Sequence, residues 1–284
     1  MSSKPAPAKP RAKAEFWGIR SSIPVSTARL LSAGSLVLFL GVWCALSYIQ
    51  VERSGKIEPL VSNFFLPPPD QVVKSLLYLF FQQDLLSAVG VSALRIAKAF
   101  GLSVAVALPL GIAMGSFEAV NRWFDPIVAP LRYLPITAFI PLLILWFGID
   151  ETQKVAFLFL GTVVFLLPVV VDAIRAVPEE LVQTSFTLGA SKAQVIRTVL
   201  IPAAMPQIFD SFRVMNAIAW TYIILAEMVN AKTGIGYILQ LAERHTKPEW
   251  SFAGIIVVGV IGLITDVVIR LLNRVLFPWK EADA

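Results

Sequence analysis

One cysteine and one histidine stand among 284 residues. Cys44 has no second thiol in the chain with which to close a disulfide, so it carries no information about redox compartment. A metal centre draws on several thiolate, imidazole or carboxylate ligands. A Ser-His-Asp relay would have to use His245, which lies in the polar segment AERHTKPEW and reads as an exposed loop residue. Neither catalysis nor metal binding is expected. A membrane enzyme would need clustered polar groups, and scattered carboxylates beside one loop histidine do not supply them. The phosphate-cradling pattern G-x-x-x-x-G-K-[ST] is also missing, which excludes ATP binding by that motif. Charge is scarce as well. Charged residues make up 15% of the chain and hydrophobic ones 57%, against about 25% and 45–50% in ordinary soluble domains. The mean hydropathy is +0.74. The net charge of +5 is not gathered into a basic stripe interleaved with aromatics, so nucleic-acid binding is excluded. In so apolar a chain, basic residues serve to orient membrane spans.

What is present is a series of long uncharged runs. A helix needs about 20 apolar residues to cross the hydrocarbon of a bilayer. Six runs qualify: Leu30–Val51, Ala99–Phe117, Tyr133–Ile149 extended upstream by PIVAPL, Val155–Val171, the less apolar IFDSFRVMNAIAWTYIILAEMVN, and Trp250–Thr265 continuing towards Leu272. The expected fold is all-α, a polytopic membrane helical bundle with six transmembrane helices. Residues 1–29, rich in Pro, Ala, Lys and Ser, are expected to be a disordered basic tail. The run after them is too long for a signal peptide and is expected to be retained as a span. Residues 30–279 form the membrane domain. Between the first two spans, FFLPPPDQVVKSLLYLFFQQ is too polar to cross. Its prolines stop one helix and Asp70 can cap another. Val72, Val73, Leu76, Leu77 and Phe80 recur at helical spacing, which suits either an interfacial helix or one packed on the bundle.

With an even number of spans, both termini share a side. Thirteen lysines and arginines fall on the N-terminal side, among them Arg11, Arg29, Arg122, Arg175, Lys192 and Arg197, and seven, from Arg53 to Lys247, on the other. The excess places both termini in the cytoplasm.

The segment TLGASKAQVIRTVLIPAAMP interrupts this apolar pattern on the cytoplasmic side. Pro178 suits a helix start, and Glu179 and Glu180 place negative charge near its positive end. Gly189 offers the left-handed conformation that ends helices. Ser191 and Gln194 form a capping box for a second helix, and Pro202 is expected to end it. Two short helices around a glycine turn, over about 178–202, suit either a docking element or a loop packed on its own bundle.

This segment resembles the cytoplasmic signature of binding-protein-dependent ABC importer permeases: E-A-A, three residues, Gly, nine residues, then Ile, any residue and Leu-Pro. Here Gly189 is followed after nine residues by Val199-Leu200-Ile201-Pro202, while Gln183-Thr184-Ser185 stands in place of the triplet. The stretches FLPPPDQV, GIAMGSFEAVNRWFDPIVAPLRYLPITAFIPLLILWFGI and WTYIILAEMVNAKTGIGYILQ are similar to the nitrate/sulfonate/taurine/bicarbonate branch of these permeases. The likeness covers Phe65 to Trp279.

The resemblance implies a type I importer permease fold in an inner or plasma membrane. It implies a dimer of permeases above two ATPase subunits, fed by a periplasmic or lipid-anchored binding protein. ATP and Mg would be held by the ATPase and no cofactor by this chain. Gln183, Thr184, Ser185, Gly189, Ala190, Ser191, Val199, Ile201 and Pro202 would couple to the ATPase. Pathway candidates are the breaks at Pro135 and Pro141, then Arg132, Asn216, Trp220, Thr221 and Glu227. Arg132 suits either an anion contact or an interfacial anchor. An ionisable residue in a span is a functional candidate, but a carboxylate repels an anion, so Glu227 is assigned to gating or structure. Gly234 and Gly236 would turn the outer loop that meets the binding protein. The solute would be a small oxyanion such as nitrate, a sulfonate such as taurine, or bicarbonate. An ion-gradient-driven carrier is the alternative, but such carriers often show internal repeats, and none is convincing here.

Overall fold

A computed structural model of the chain describes residues 23–53, 56–229 and 232–279. It divides into two compact units at Gln71/Val72. The first begins with α1 (Val25–Tyr48), a 24-residue helix that buries only Ser47. Most of the expected basic tail lies outside the described residues, but its end at Val25–Arg29 is helical. The apolar run ending at Val51 does not stay helical throughout. Gln50 and Val51 belong to β1 (Gln50–Arg53), which pairs antiparallel with β2 (Lys56–Pro59). Trp43 Nε1–H donates to the Pro67 carbonyl at 3.0 Å, and the Tyr48 hydroxyl donates to the Asp70 carboxylate.

Next come α2 (Pro69–Gln82), α3 (Leu85–Ser116) and α4 (Glu118–Leu131). A 3-10 turn at Ile136–Phe139 leads into α5 (Ile140–Phe147), followed by α6 (Glu151–Arg175). Two short helices, α7 (Glu179–Thr187) and α8 (Lys192–Val195), precede a π-helical turn at Ile196–Leu200. The chain ends with α9 (Ile201–Met228), α10 (Ile235–Arg244) and α11 (Pro248–Leu276). α2 buries Val72, Ser75 and Leu79 at helical spacing and exposes Val73, Leu77 and Phe80.

Among the described residues, five helices are long and apolar enough to cross a membrane, and six spans result if α4 and the 3-10/α5 segment count as one. That pair bends by 90°. The run Tyr133–Ile149 is therefore not one straight helix. Pro135 biases Leu134 away from helical backbone, and Pro141 can only begin a new helix. Such breaks persist in membranes where the freed backbone is sheltered from lipid.

α6 is the central post, with Phe157, Leu158, Leu166 and Val170 almost wholly buried. α3 lies along it at close range. A Cβ on Gly111 would come 2.7 Å from Cβ of Val170, and one on Gly115 would come 2.7 Å from Cβ of Ile174. The G-x-x-x-G spacing within GIAMG thus lets two helices touch through a small-residue seam, where dispersion replaces the hydrophobic effect. Gly115→Leu should force α3 off α6 and destabilise the bundle by about 1–3 kcal/mol. A fall in melting temperature in detergent, absent for Gly101→Leu where nothing lies within 4 Å, is the expected result.

Candidate functional site

The polar hairpin forms as its sequence reads. Gly189 takes φ +85°, and its N–H donates to the Phe186 carbonyl at 2.9 Å, closing α7. Ser191 N–H donates to Gln194 Oε1 at 2.8 Å, and Gln194 N–H donates back to Ser191 Oγ at 3.4 Å. The box satisfies donors that a helix start leaves orphaned. Val195 and Leu200 sink into the core with Val170 and Ile174, and Val182, Ala190 and Val199 pack against that cluster. Outward, the hairpin presents Gln183, Thr184, Gly189 and Ser191, together with the apolar Leu181, Phe186 and Leu188. Leu188 is 82% exposed. Ser185, whose hydroxyl bonds to the Leu181 carbonyl at 2.7 Å, is half-buried, as are Ile201 and Pro202.

Pro202 does not end the second helix. Lys192–Met228 runs continuously for 37 residues. Ile201 N–H reaches back five residues to the Ile196 carbonyl. This widened turn precedes the proline and lets the backbone absorb its missing donor. At about 1.5 Å per residue the rod is roughly 55 Å long, so it spans the hydrocarbon and still reaches the hairpin.

The far end of the rod carries a buried charge network. Glu227 has no exposed surface and Arg95 has 2%. Arg95 Nη1 donates to Glu227 Oε1 at 2.7 Å and to the Thr233 carbonyl at 2.9 Å. Its Nε and Nη2 grip both oxygens of Glu151 at 2.6 and 2.5 Å, and Nη2 also meets Thr233 Oγ1 at 3.1 Å. All five guanidinium donors are thereby used. Glu227 Oε1 also accepts from the Ser92 hydroxyl at 2.7 Å, and Oε2 accepts from Gly236 N–H at 2.8 Å. Ser92 Oγ accepts from Ile235 N–H at 3.0 Å. The first N–H groups of α10 are therefore capped by side chains from α3 and α9, with a carboxylate at the helix's positive end. Space is tight: a Cβ on Gly234, at φ +105°, would lie 2.5 Å from the Glu227 carboxylate, and one on Gly236 would lie 2.4 Å from its Cβ.

These features belong to a known architecture. Residues 107–278 match the family described as binding-protein-dependent transport system inner membrane component. The chain belongs to this family of ABC importer permeases. It is 33% identical over 264 residues to the taurine transport system permease protein of Escherichia coli K12, covering 90% of this chain and 92% of that protein. It is also 33% identical over 226 residues to a putative aliphatic sulfonates transport permease protein of Bacillus subtilis 168, covering 78% and 81%. In fold it is similar to a chain of the MetNI methionine ABC transporter, with TM-score 0.55 and 20% identity, covering 67% of this chain and 96% of that one. A bacterial alginate importer gives TM-score 0.53 and 17% identity, covering 88% and 95%. The permease is a multi-pass inner-membrane transport subunit that works with separate ATPase subunits and a binding protein.

Within one permease chain the residues expected along the pathway do not form a single cluster. Arg132, Pro135 and Pro141 are exposed around the bend after α4, with the Arg132 guanidinium 5.6 Å from the centre of the Tyr133 ring. Thr221 is exposed on α9. Asn216 and Trp220 are buried instead. Both donate to Thr265 Oγ1, at 2.8 and 3.1 Å, and so tie α9 to α11. Gly234 and Gly236 do turn the chain, but they are buried against Glu227 rather than offered to a docking protein. Asp266 and Arg270 pair within α11 at 2.8 Å as their spacing implies. Arg213 of α9 joins them at 2.6 Å.

Sequence reasoning missed Arg95, Ser92 and Glu151. Arg95 stands with Lys98 in AVGVSALRIAKAF, and an ionisable residue beside an apolar run was its only signal.

Removing one partner of a buried pair strands the other charge. Glu227→Gln and Arg95→Met should each cost about 3–5 kcal/mol, and the double variant less than their sum. Unfolding measured in mixed micelles for all four proteins decides this, and strictly additive losses would show that the two side chains act independently.

Proposed function

We propose that the permease imports a small sulfonate or related oxyanion, with taurine and alkanesulfonates first in order, as one half of a homodimeric pathway. The observation that carries the reading is the 33% identity over nine-tenths of the chain with a taurine permease. The sulfonate permease relative supports it. Both termini lie in the cytoplasm, the domain runs over 30–279, and a periplasmic or lipid-anchored protein delivers the solute. ATP and Mg sit on the ATPase pair.

The hairpin, through Gln183, Thr184, Ser185, Gly189, Ala190 and Ser191, docks on the ATPase, while Val199, Ile201 and Pro202 anchor it to the rod. Closure of the ATPases moves the hairpin. The continuous helix carries that displacement to Glu227 and the α10 turn, so that nucleotide state and pathway state bias each other. In the dimer the exposed Thr221 and the bend at Pro135 and Pro141 face the solute. Their hydroxyl and half-helix ends supply polar contacts, and Arg132 supplies positive charge for an oxyanion. Asn216 and Trp220 hold the wall behind them. Glu227 and the two glycines fix the outer end of that wall and take no part in ligation.

The test is ATP-dependent uptake by vesicles holding the permease, its ATPase and its binding protein. Labelled taurine or an alkanesulfonate should accumulate and be displaced by the other. Accumulation of neither, or accumulation without ATP, would overturn the reading. Gly189→Pro, whose ring locks φ near −65°, should cut uptake on the order of tenfold, the scale of a typical coupling free energy, while the chain still inserts. Unchanged uptake would sink the coupling role. Cysteines placed at Arg29 and Lys192 should react with an impermeant reagent only in inside-out vesicles.

A further inference from the structure

Among the described residues, one fully buried side-chain amide has no hydrogen bond. Gln153 has no exposed surface, and neither its Nε2 nor its Oε1 finds a partner. Ser116 Oγ is likewise unpaired, but it belongs to a half-buried residue at the end of α3. Beside Gln153, Lys154 is 3% exposed, and its ammonium, with three donors, reaches the Glu151 carboxylate at 3.4 Å. The contrast with Arg95 is local. That guanidinium uses every donor, two of them on the Glu151 that begins the same helix.

Gln153 lies one turn before Phe157 on the same face of α6. Phe157 is fully buried and meets the Tyr222 ring edge-on at 5.9 Å, and a Cβ on Gly161 would come 2.7 Å from Tyr222 Cδ2. This face of α6 therefore packs on α9. Arg95 joins the start of α6 to the end of α9, so the two helices are antiparallel. Gln153 thus falls in the α6–α9 seam, level by helical spacing with Ala226, which is also fully buried.

An orphaned amide in a dry seam costs its full desolvation, whereas water admitted to the seam restores its hydrogen bonds. The amide therefore opposes closure of the seam that the Arg95 clamp holds shut. We propose that Gln153 biases the permease towards opening at the end away from the hairpin: its amide is stranded while α9 lies closed on α6 and is hydrated when the two part. The closed form is kept only marginally favoured, so a modest differential push from the ATPases moves the equilibrium. An apolar residue of the same size would fill the seam equally well and hold it shut. The bias acts within the nucleotide-linked movement proposed above, which it takes as given, and it needs no particular solute.

The experiment uses the full permease with its ATPase subunits in nanodiscs, with Cys44→Ser to remove the native thiol and Ala226→Cys to report on the seam. Maleimide labelling is timed without nucleotide and with ATP and vanadate. One of the two states should label faster, and Gln153→Met should slow labelling about fivefold or more, the factor set by the low end of the cost of an orphaned amide. Without the reporter cysteine, Gln153→Met and Gln153→Leu should both melt at a higher temperature. Equal labelling with and without Gln153→Met would show that the amide is satisfied in the closed form and would overturn the proposal. So would a seam that labels in neither state, or a lower melting temperature in both variants. Labelling that responds to Gln153→Met but not to nucleotide would uphold the bias and count instead against the nucleotide-linked movement.

Discussion

A guanidinium and a carboxylate withdrawn from water hold each other or neither can stay. The Arg95–Glu227 pair meets that condition by saturation. Five donors find acceptors, and three donors converge on one carboxylate. A buried pair of this kind adds little net stability compared with well-packed hydrophobes, but it tolerates almost no alternative arrangement. The start of α10, the turn at Thr233, the first third of α3 and the end of α9 are therefore fixed together. The glycines at 234 and 236 follow from the same constraint, since the carboxylate of Glu227 occupies the space a Cβ would need at the first and its own Cβ the space at the second.

The other end of the molecule is governed by the opposite economy. The hairpin keeps its apolar side in the core through Val195 and Leu200 but leaves Leu181, Phe186 and Leu188 uncovered. Exposed apolar side chains on a polar hairpin are what a docking element needs. The exposed bridges from Glu118 to Arg122 and to Arg175 lie beside this end and contribute little individually. One helix joins the two ends, and the glycine seam holds α3 close against α6.

Much of this was legible in the residues. Uncharged runs gave the spans because the bilayer admits little else, and the hairpin was legible because caps and glycine turns are local chemistry. The places that resisted are those where distant residues decide. Pro202 reads as a stop, yet the widened turn before it carries the helix through. Tyr133–Ile149 reads as one span, yet its prolines split it at a right angle. Asn216 and Trp220 read as pathway groups because they are polar within a span, but Thr265, 45 residues or more away, claims both. Arg95 was visible only as one of two charges, with Lys98, ahead of an uncharged run. Its partners lie 56 and 132 residues off, and no periodicity connects them.

The π turn at Ile196–Leu200 has one more consequence. A regular α-helix transmits rotation and translation together, like a rigid screw. A turn holding one surplus residue shifts the helical register across it without breaking the helix. The faces of the hairpin are therefore offset from those of the span, while a push on the hairpin still arrives along unbroken backbone.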